Sequence, residues 1–171
     1  AVAVISEIGV VDGREDGSFA PTDNLSRGAA AKIICNLILG PTTAAELHAD
    51  TAPYKDVPVS NTFSGYIAYC AKEGIISGYA DGTFRPDAAI ARQDAAIMLK
   101  RLAGLFDVQA AGSGQTFTDA AQISDYAKDG VSFATAIGLM NGHANGSFAP
   151  RAQITREQAV VTVMNAWRKL G

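Results

Sequence analysis

Three arginines stand at one place in a repeated pattern: Ser26-Arg27-Gly28-Ala29, Ala91-Arg92-Gln93-Asp94 and Thr155-Arg156-Glu157-Gln158. Each opens a run that reads as a helix, so the cation faces the positive end of the helix dipole, at a cost of a few tenths to about 1 kcal/mol. Residue type and position suit anion recognition. Unpaired N–H groups at a helix start attract anions, and a guanidinium beside them adds a planar fork that grips a carboxylate with two hydrogen bonds. The structural alternatives are an ion pair of Arg27 and Arg92 with the turn carboxylates Asp16 and Asp81, or an arginine stem that merely covers a phenylalanine. Copy three has Asn145 at that turn, so such an ion pair is not maintained in every copy. On these residues alone, ligand and structural roles both stay open.

The residues around each arginine differ. Thr155 with Gln158 can form a reciprocal capping box, Ser26 keeps a cap without the second member, and Ala91 has no hydroxyl although Asp94 retains a carboxylate. Aromatic rings that could pack on the apolar face of a sugar are Tyr79, Tyr66, Phe63 and Tyr126, although aromatics at helical spacing usually belong to a core. Trp167 falls in a buried column and reads as packing.

The elements that position these groups follow from an internal repeat. Segments 8–38, 73–103 and 137–167 align without a gap, with identical residues at Gly9/Gly74/Gly138, Gly13/Gly78/Gly142, Gly17/Gly82/Gly146, Phe19/Phe84/Phe148, Pro21/Pro86/Pro150, Arg27/Arg92/Arg156 and Ala30/Ala95/Ala159. The first glycine follows an apolar helical run and suits a left-handed cap, and the third closes an Asp-Gly or Asn-Gly turn. Phe-x-Pro predicts extended chain before the next helix. That helix shows the stripe Ala30, Ala31, Ile34, Leu37, Ile38 and its counterparts, one buried face. A single helix pair cannot bury this stripe, whereas three pairs around a common axis can, so the expectation is one all-α unit of three helix-turn-helix repeats around a central bundle, with short extended segments in the turns. Tyr54-Lys55-Asp56 and Phe117-Thr118-Asp119 mark the starts of repeats two and three. The expected divisions are repeat one at 1–40, shortened at its start, a linker at 41–53 in which Thr43-x-x-Glu46 caps a short helix, repeat two at 54–104, a linker at 105–115 and repeat three at 116–171.

Bulk properties exclude more than they select. The chain has 171 residues, 48% apolar and 18% charged, which supports a globular core. A net charge of −3 offers no general field for nucleic acid or an anionic membrane. No stretch approaches about 20 apolar residues and the start lacks a basic leader, so neither a membrane span nor a signal peptide is expected. Cys35 and Cys70 lie in apolar helical patterns without metal spacing and read as small buried hydrophobes, not as a disulfide framework. His48 and His143 do not recur with a nucleophile or carboxylate, which argues against an enzyme. Asp12-x-Arg14-x-Asp16-Gly17 has a calcium-loop outline, but the third position is Arg14, Tyr79 or His143 and the outer positions become Ser77 and Asn141, too few carboxylates. No metal or cofactor is expected.

The combined pattern F-x-D, aromatic helix, G-(I/L)-(I/M)-x-G-x-x-(D/N)-G-(S/T)-F-x-P, then (I/L)-(T/S)-R and a helix, resembles the S-layer homology domain over essentially the whole chain. Of that family's T-R-A-E motif only the arginine persists in all copies, and the acidic member is missing from copies one and three. The resemblance implies a three-lobed trimer of repeats that holds a bacterial surface protein to the cell wall, outside the cell. The implied ligand is an acidic secondary wall polysaccharide or peptidoglycan-linked glycan, often carrying pyruvate ketals, bound in grooves between repeats. Arg92 and Arg156 rank above Arg27 as its contacts. Candidate companions are Asp94, Ser26, Thr155, Gln158, Tyr79 and the turn glycines Gly82 and Gly146. A scaffold for surface-protein partners or self-assembly is the alternative, without glycan binding.

Overall fold

The structure, a computed structural model, describes residues 17–170. Six α-helices carry the described residues: α1 Arg27–Leu39, α2 Pro41–Ala45, α3 Ser64–Lys72, α4 Arg92–Gly104, α5 Lys128–Ala136 and α6 Arg156–Leu170. Two 3-10 turns, Ala120–Gln122 and Asp125–Ala127, lead into α5. Among the described residues the class is all-α, with only isolated β-bridges, three of them between copies. Helix starts follow local chemistry. Ser26 Oγ accepts the Ala29 N–H at 3.2 Å, and Thr155 with Gln158 forms the reciprocal box at 3.3 Å in both directions, while Ala91 supplies no side-chain cap. The short helix α2 departs from expectation: it is capped at Gly40 and opened by Pro41, so Thr43 lies inside it.

The copies are joined by main-chain hydrogen bonds that run in a ring. Leu25 N–H donates to Ile154 O, Ile154 N–H to Ile90 O and Ile90 N–H to Leu25 O, at 2.8, 3.0 and 2.9 Å. These three residues share one column, so each copy gives one bond and receives one. Outside this ring α3 packs on α1 and α5 on α4, each the first helix of one copy against the second helix of the copy before it. α1, α4 and α6 surround a narrow apolar cavity of about 60 Å³, lined in part by Leu25, Ile90 and Ile154 and by the alanine column. The stripe on α6 is narrower than the periodicity suggests. Ala159, Val160, Val163 and Ala166 are buried, whereas Trp167 turns out and is 55% exposed, because Ala166 already takes the last inward place on the helix.

The turn between the helices is where the chain is least ordinary. Phe84 and Phe148 are sealed in the core, stacked on Tyr54 and near Phe117 at ring centroid distances of 5.4 and 5.2 Å. The second shared glycine exists for these rings: a Cβ on Gly78 or Gly142 would collide with Tyr54 or Phe117. The Phe-x-Pro segment is not extended as predicted. Its middle residue is left-handed in every copy, with φ of 47° at Ala20, 60° at Arg85 and 53° at Ala149. The preference imposed by the following proline is overridden by a carboxylate that takes two successive amides. Asp56 accepts the N–H of Phe84 and Arg85 at 2.8 and 2.7 Å, and Asp119 accepts those of Phe148 and Ala149, both at 2.8 Å.

Two expectations follow for stability. A left-handed non-glycine residue costs about 1–2 kcal/mol, so Ala149→Gly should raise stability by about 0.5–1 kcal/mol after its own entropy cost, whereas Asp119→Ala should lower it by about 1.5–3 kcal/mol; both are read by denaturant melts. The second concerns pH. Partial burial raises the carboxyl pKa of Asp56 and Asp119, but the backbone N–H donors more than reverse this, and both titrate below the usual range. With the folded pKa below the unfolded one, their stabilisation is complete above the unfolded value of about pH 4 and is lost as pH falls through the folded value. The melting temperature should drop on acidification below about pH 4, and an Asp56→Asn, Asp119→Asn double variant should drop less steeply.

Candidate functional site

Each repeated arginine reaches out of its own copy and into the turn of the next. Arg27 Nε donates to Phe84 O at 2.9 Å and Nη2 to Ser77 O at 3.4 Å. Arg92 Nε donates to Phe148 O at 2.7 Å and Nη2 to Asn141 O at 2.8 Å. Arg156 Nε donates to Phe19 O at 2.8 Å, which carries the pattern from copy three back to copy one. The guanidiniums lie 4.6, 4.8 and 4.9 Å from the ring centroids of Phe84, Phe148 and Phe19. The phenylalanine that each arginine covers therefore belongs to the neighbouring copy. Burial lowers the pKa of Arg92, an effect that nearby Asp119 opposes.

The amides at the helix starts are committed in the same way. Arg27 and Gly28 N–H donate to Ala88 O and Pro86 O, Arg92 and Gln93 N–H to Ala152 O and Pro150 O, and Arg156 and Glu157 N–H to Asp23 O and Pro21 O. This corrects the expectation of a helix-start anion cradle: the amides that would hold an anion hold the next copy instead. The alternative, an ion pair of Arg92 with the turn carboxylate Asp81, is not what the structure shows either. Asp81 bonds Thr83 and Arg85, and its carboxyl is pushed down to about 2 by Thr83 first and Arg85 second; Asp16 lies outside the described residues. What remains of Arg27 for other work is Nη1, 4.0 Å from Asp94 Oδ2.

Above each buried arginine lies a groove. The first, about 390 Å³, is lined by Arg27, Ser77, Tyr79, Asp94, Arg101 and Tyr126 among others, so copies one, two and three all contribute. Tyr126 Oη donates to Asp94 Oδ1 at 3.1 Å, and the phenol pKa is raised by burial and by Asp94. Tyr79 is flanked by Arg27 and Arg85 at 5.0 and 4.2 Å from its centroid. Arg101 Nη1 is tied to Ser77 Oγ at 3.1 Å and remains exposed. The second groove, about 210 Å³, repeats the same columns with Arg92, Asn141, His143, Gln158 and Asn165, and has no aromatic wall.

The structure thus brings together Arg27, Asp94 and Tyr79 in one groove and Arg92 with Gln158 in another. Ser26 and Thr155 serve as helix caps and line neither groove. Gly82 and Gly146 are also absent from both linings; they hold their turns against Lys55 and Thr118. Asp12 and Arg14, the counterparts of Asn141 and His143 in the repeat, lie outside the described residues. Of the aromatic candidates, Tyr126 lines the first groove, Phe63 packs over Gly28, and Tyr66 sits 5.8 Å from the Lys32 ammonium. Arg101 escaped the sequence reading, although Asp94, Ile97, Met98 and Arg101 follow the i, i+3, i+4, i+7 spacing of one helical face.

Two guanidinium groups, one carboxylate and two phenols around one concavity can receive an anionic, hydroxyl-rich ligand. Comparison with known proteins agrees with the repeat. The family model described as S-layer homology domain matches residues 1–31, 53–96 and 116–160. The surface-layer 125 kDa protein of Lysinibacillus sphaericus is 32% identical over 165 residues, 94% of this chain and 13% of its own length. The cellulosome-anchoring protein of Acetivibrio thermocellus is 28% identical over 156 residues, 88% of this chain and 34% of its own length. An amylopullulanase of Thermoanaerobacterium thermosulfurigenes is 29% identical over 175 residues, 99% of this chain and 9% of its own. The chain spans no more than 34% of any of these three relatives. With the motif in register three times, the arginine of each copy seated in the next, and a family match over most of the length, this chain belongs to the S-layer homology domain family.

Proposed function

We propose that this chain is the non-catalytic wall-anchoring part of a bacterial surface protein and that it holds an acidic wall polysaccharide, with pyruvate ketals as the anionic substituent, chiefly in the groove above Arg27. The observation that carries this reading is the gathering of Arg27, Arg101, Asp94, Tyr79 and Tyr126 around one groove. The relatives support the setting: two are named for the surface layer and for cellulosome anchoring, and a third is an enzyme in which the shared segment is 9% of the length. Among the described residues no helix is long and apolar enough to cross a membrane. Attachment from outside by a sugar grip fits that finding.

The preference for the first groove reverses the order suggested by the motif. Arg92 lies in a smaller groove with Gln158 where the first has Asp94, and with His143 where the first has Tyr79. Fewer charged and aromatic groups then face a ligand. The acidic substituent meets Arg101 and the Nη1 edge of Arg27, and ring hydroxyls meet Asp94.

Because Arg27 and Arg92 fasten the copies together, replacing them tests folding as much as binding. Arg101→Ala is the cleaner probe. It should weaken binding to purified wall sacculi about 10-fold or more while the melting temperature stays within about 2 °C, since it removes a charged contact from an exposed position. Wall material stripped of its acidic polysaccharide should not be bound by the unmodified chain. Undiminished binding to stripped walls would reject the glycan reading in favour of a protein or peptidoglycan partner. A second expectation separates the grooves: Tyr126→Ala should weaken sacculus binding several-fold, whereas His143→Ala should leave it within about twofold. Equal losses from both would show that the grooves share the work.

A further inference from the structure

The chain contains two cysteines, one in each of two copies. Cys35 lies on α1 and Cys70 on α3, and the two sulfurs meet across the joint between these helices at 3.5 Å. Both side chains are fully buried, and each thiol is held by a main-chain oxygen of the opposite helix, Cys35 Sγ by Tyr66 O at 3.6 Å and Cys70 Sγ by Ala31 O at 3.7 Å. Their apolar helical surroundings in the sequence predict small buried hydrophobes. Burial is as expected, but their mutual contact is not something that packing alone requires. They are each other's sole possible cysteine partner within the chain.

We infer that Cys35 and Cys70 are a covalent modification site, a dithiol that closes to a disulfide outside the cell and staples copy one to copy two. The inference rests on the surface location read above, because disulfides persist where no cytosolic reductant keeps thiols reduced. The two sulfurs, 3.5 Å apart, stand about 1.5 Å beyond the bonded separation of about 2.05 Å. The oxidant is a disulfide of the general form R–S–S–R. One cysteine thiolate attacks it, forms a mixed disulfide and expels one R–S⁻, and the second cysteine attacks the protein sulfur of that mixed disulfide and expels the other. Two protein thiols are oxidised, one external disulfide is reduced, and the two protons leave on two R–SH.

Burial also fixes when this happens. The Cys70 thiol is pushed up, first by its hydrogen bond with Cys35 and then by burial, so the folded protein offers little thiolate and no open path to the oxidant. Exchange therefore belongs to the chain before α3 has closed on α1, or to a local opening of that joint. Once formed, the link spans the segment from Cys35 to Cys70, and the loop it closes favours the folded state.

The test needs no wall material, so it can fail independently of the glycan reading. The chain is unfolded in denaturant with a reductant and refolded with oxidised glutathione. It is then alkylated under denaturing conditions and peptide-mapped. The expected result is loss of both thiols within a monomer, a Cys35–Cys70 linked peptide, and a melting temperature about 5–15 °C above that of the same chain after dithiothreitol. Folded chain given the same oxidant should react at least 10-fold more slowly. A Cys35→Ala, Cys70→Ala variant should fold with its helical content intact and show no shift with oxidant. The inference is overturned if both cysteines are alkylated after oxidative refolding, if the link forms between chains, or if the linked form melts no higher than the reduced one.

Discussion

The architecture depends on a guanidinium handed from each copy to the next. Every repeated arginine spends its Nε on a phenylalanine carbonyl of the following turn and lays its plane over that phenylalanine, and the third returns to the first copy. A charged donor to a carbonyl is among the stronger hydrogen bonds available to a protein, and burial makes its loss costly. This explains a cation at the wrong end of a helix dipole. The dipole penalty is small beside a charged hydrogen bond and a ring contact, and the helix-start amides are themselves paired with the same neighbouring turn.

The clasp dictates the form of the turn. To present its carbonyl to the arriving arginine, the Phe-x-Pro segment adopts a left-handed middle residue, which Asp56 or Asp119 holds through two amides. The aromatic two residues before that aspartate packs on the turn phenylalanine and leaves room for nothing larger than glycine at the column beneath it. Aspartate, aromatic, glycine and arginine are one device in four pieces. The device also makes the floor of each groove rigid, because its arginine is fixed on two sides before any ligand arrives.

A division of labour follows. The arginine and phenylalanine columns, identical in all three copies, build the clasp, whereas other groove-lining columns differ: Asp94 against Gln158, Tyr79 against His143, Arg101 against Asn165. The two described grooves thus differ in charge and in aromatic wall without disturbing the joint beneath them. Sameness among the copies reports architecture here, and difference among them sets the chemistry of each groove.

Local chemistry made much of this legible in the residues alone. Helix positions, the caps at Ser26 and Thr155, the Asp-Gly turns and the repeat itself depend on groups a few positions apart, and these were readable. Contacts between copies were not, because they join residues thirty or more positions apart with no local pattern to announce them. The partner of Arg27 is Phe84, Tyr126 reaches Asp94, and Cys35 meets Cys70. The inverted Phe-x-Pro segment belongs with these, since a distant aspartate overrules the steric preference of its own dipeptide. Sequence periodicity by itself determined the elements and their number of copies; the closing of the copies on one another decided what each arginine holds, because its carbonyl and its phenylalanine come from a distant turn.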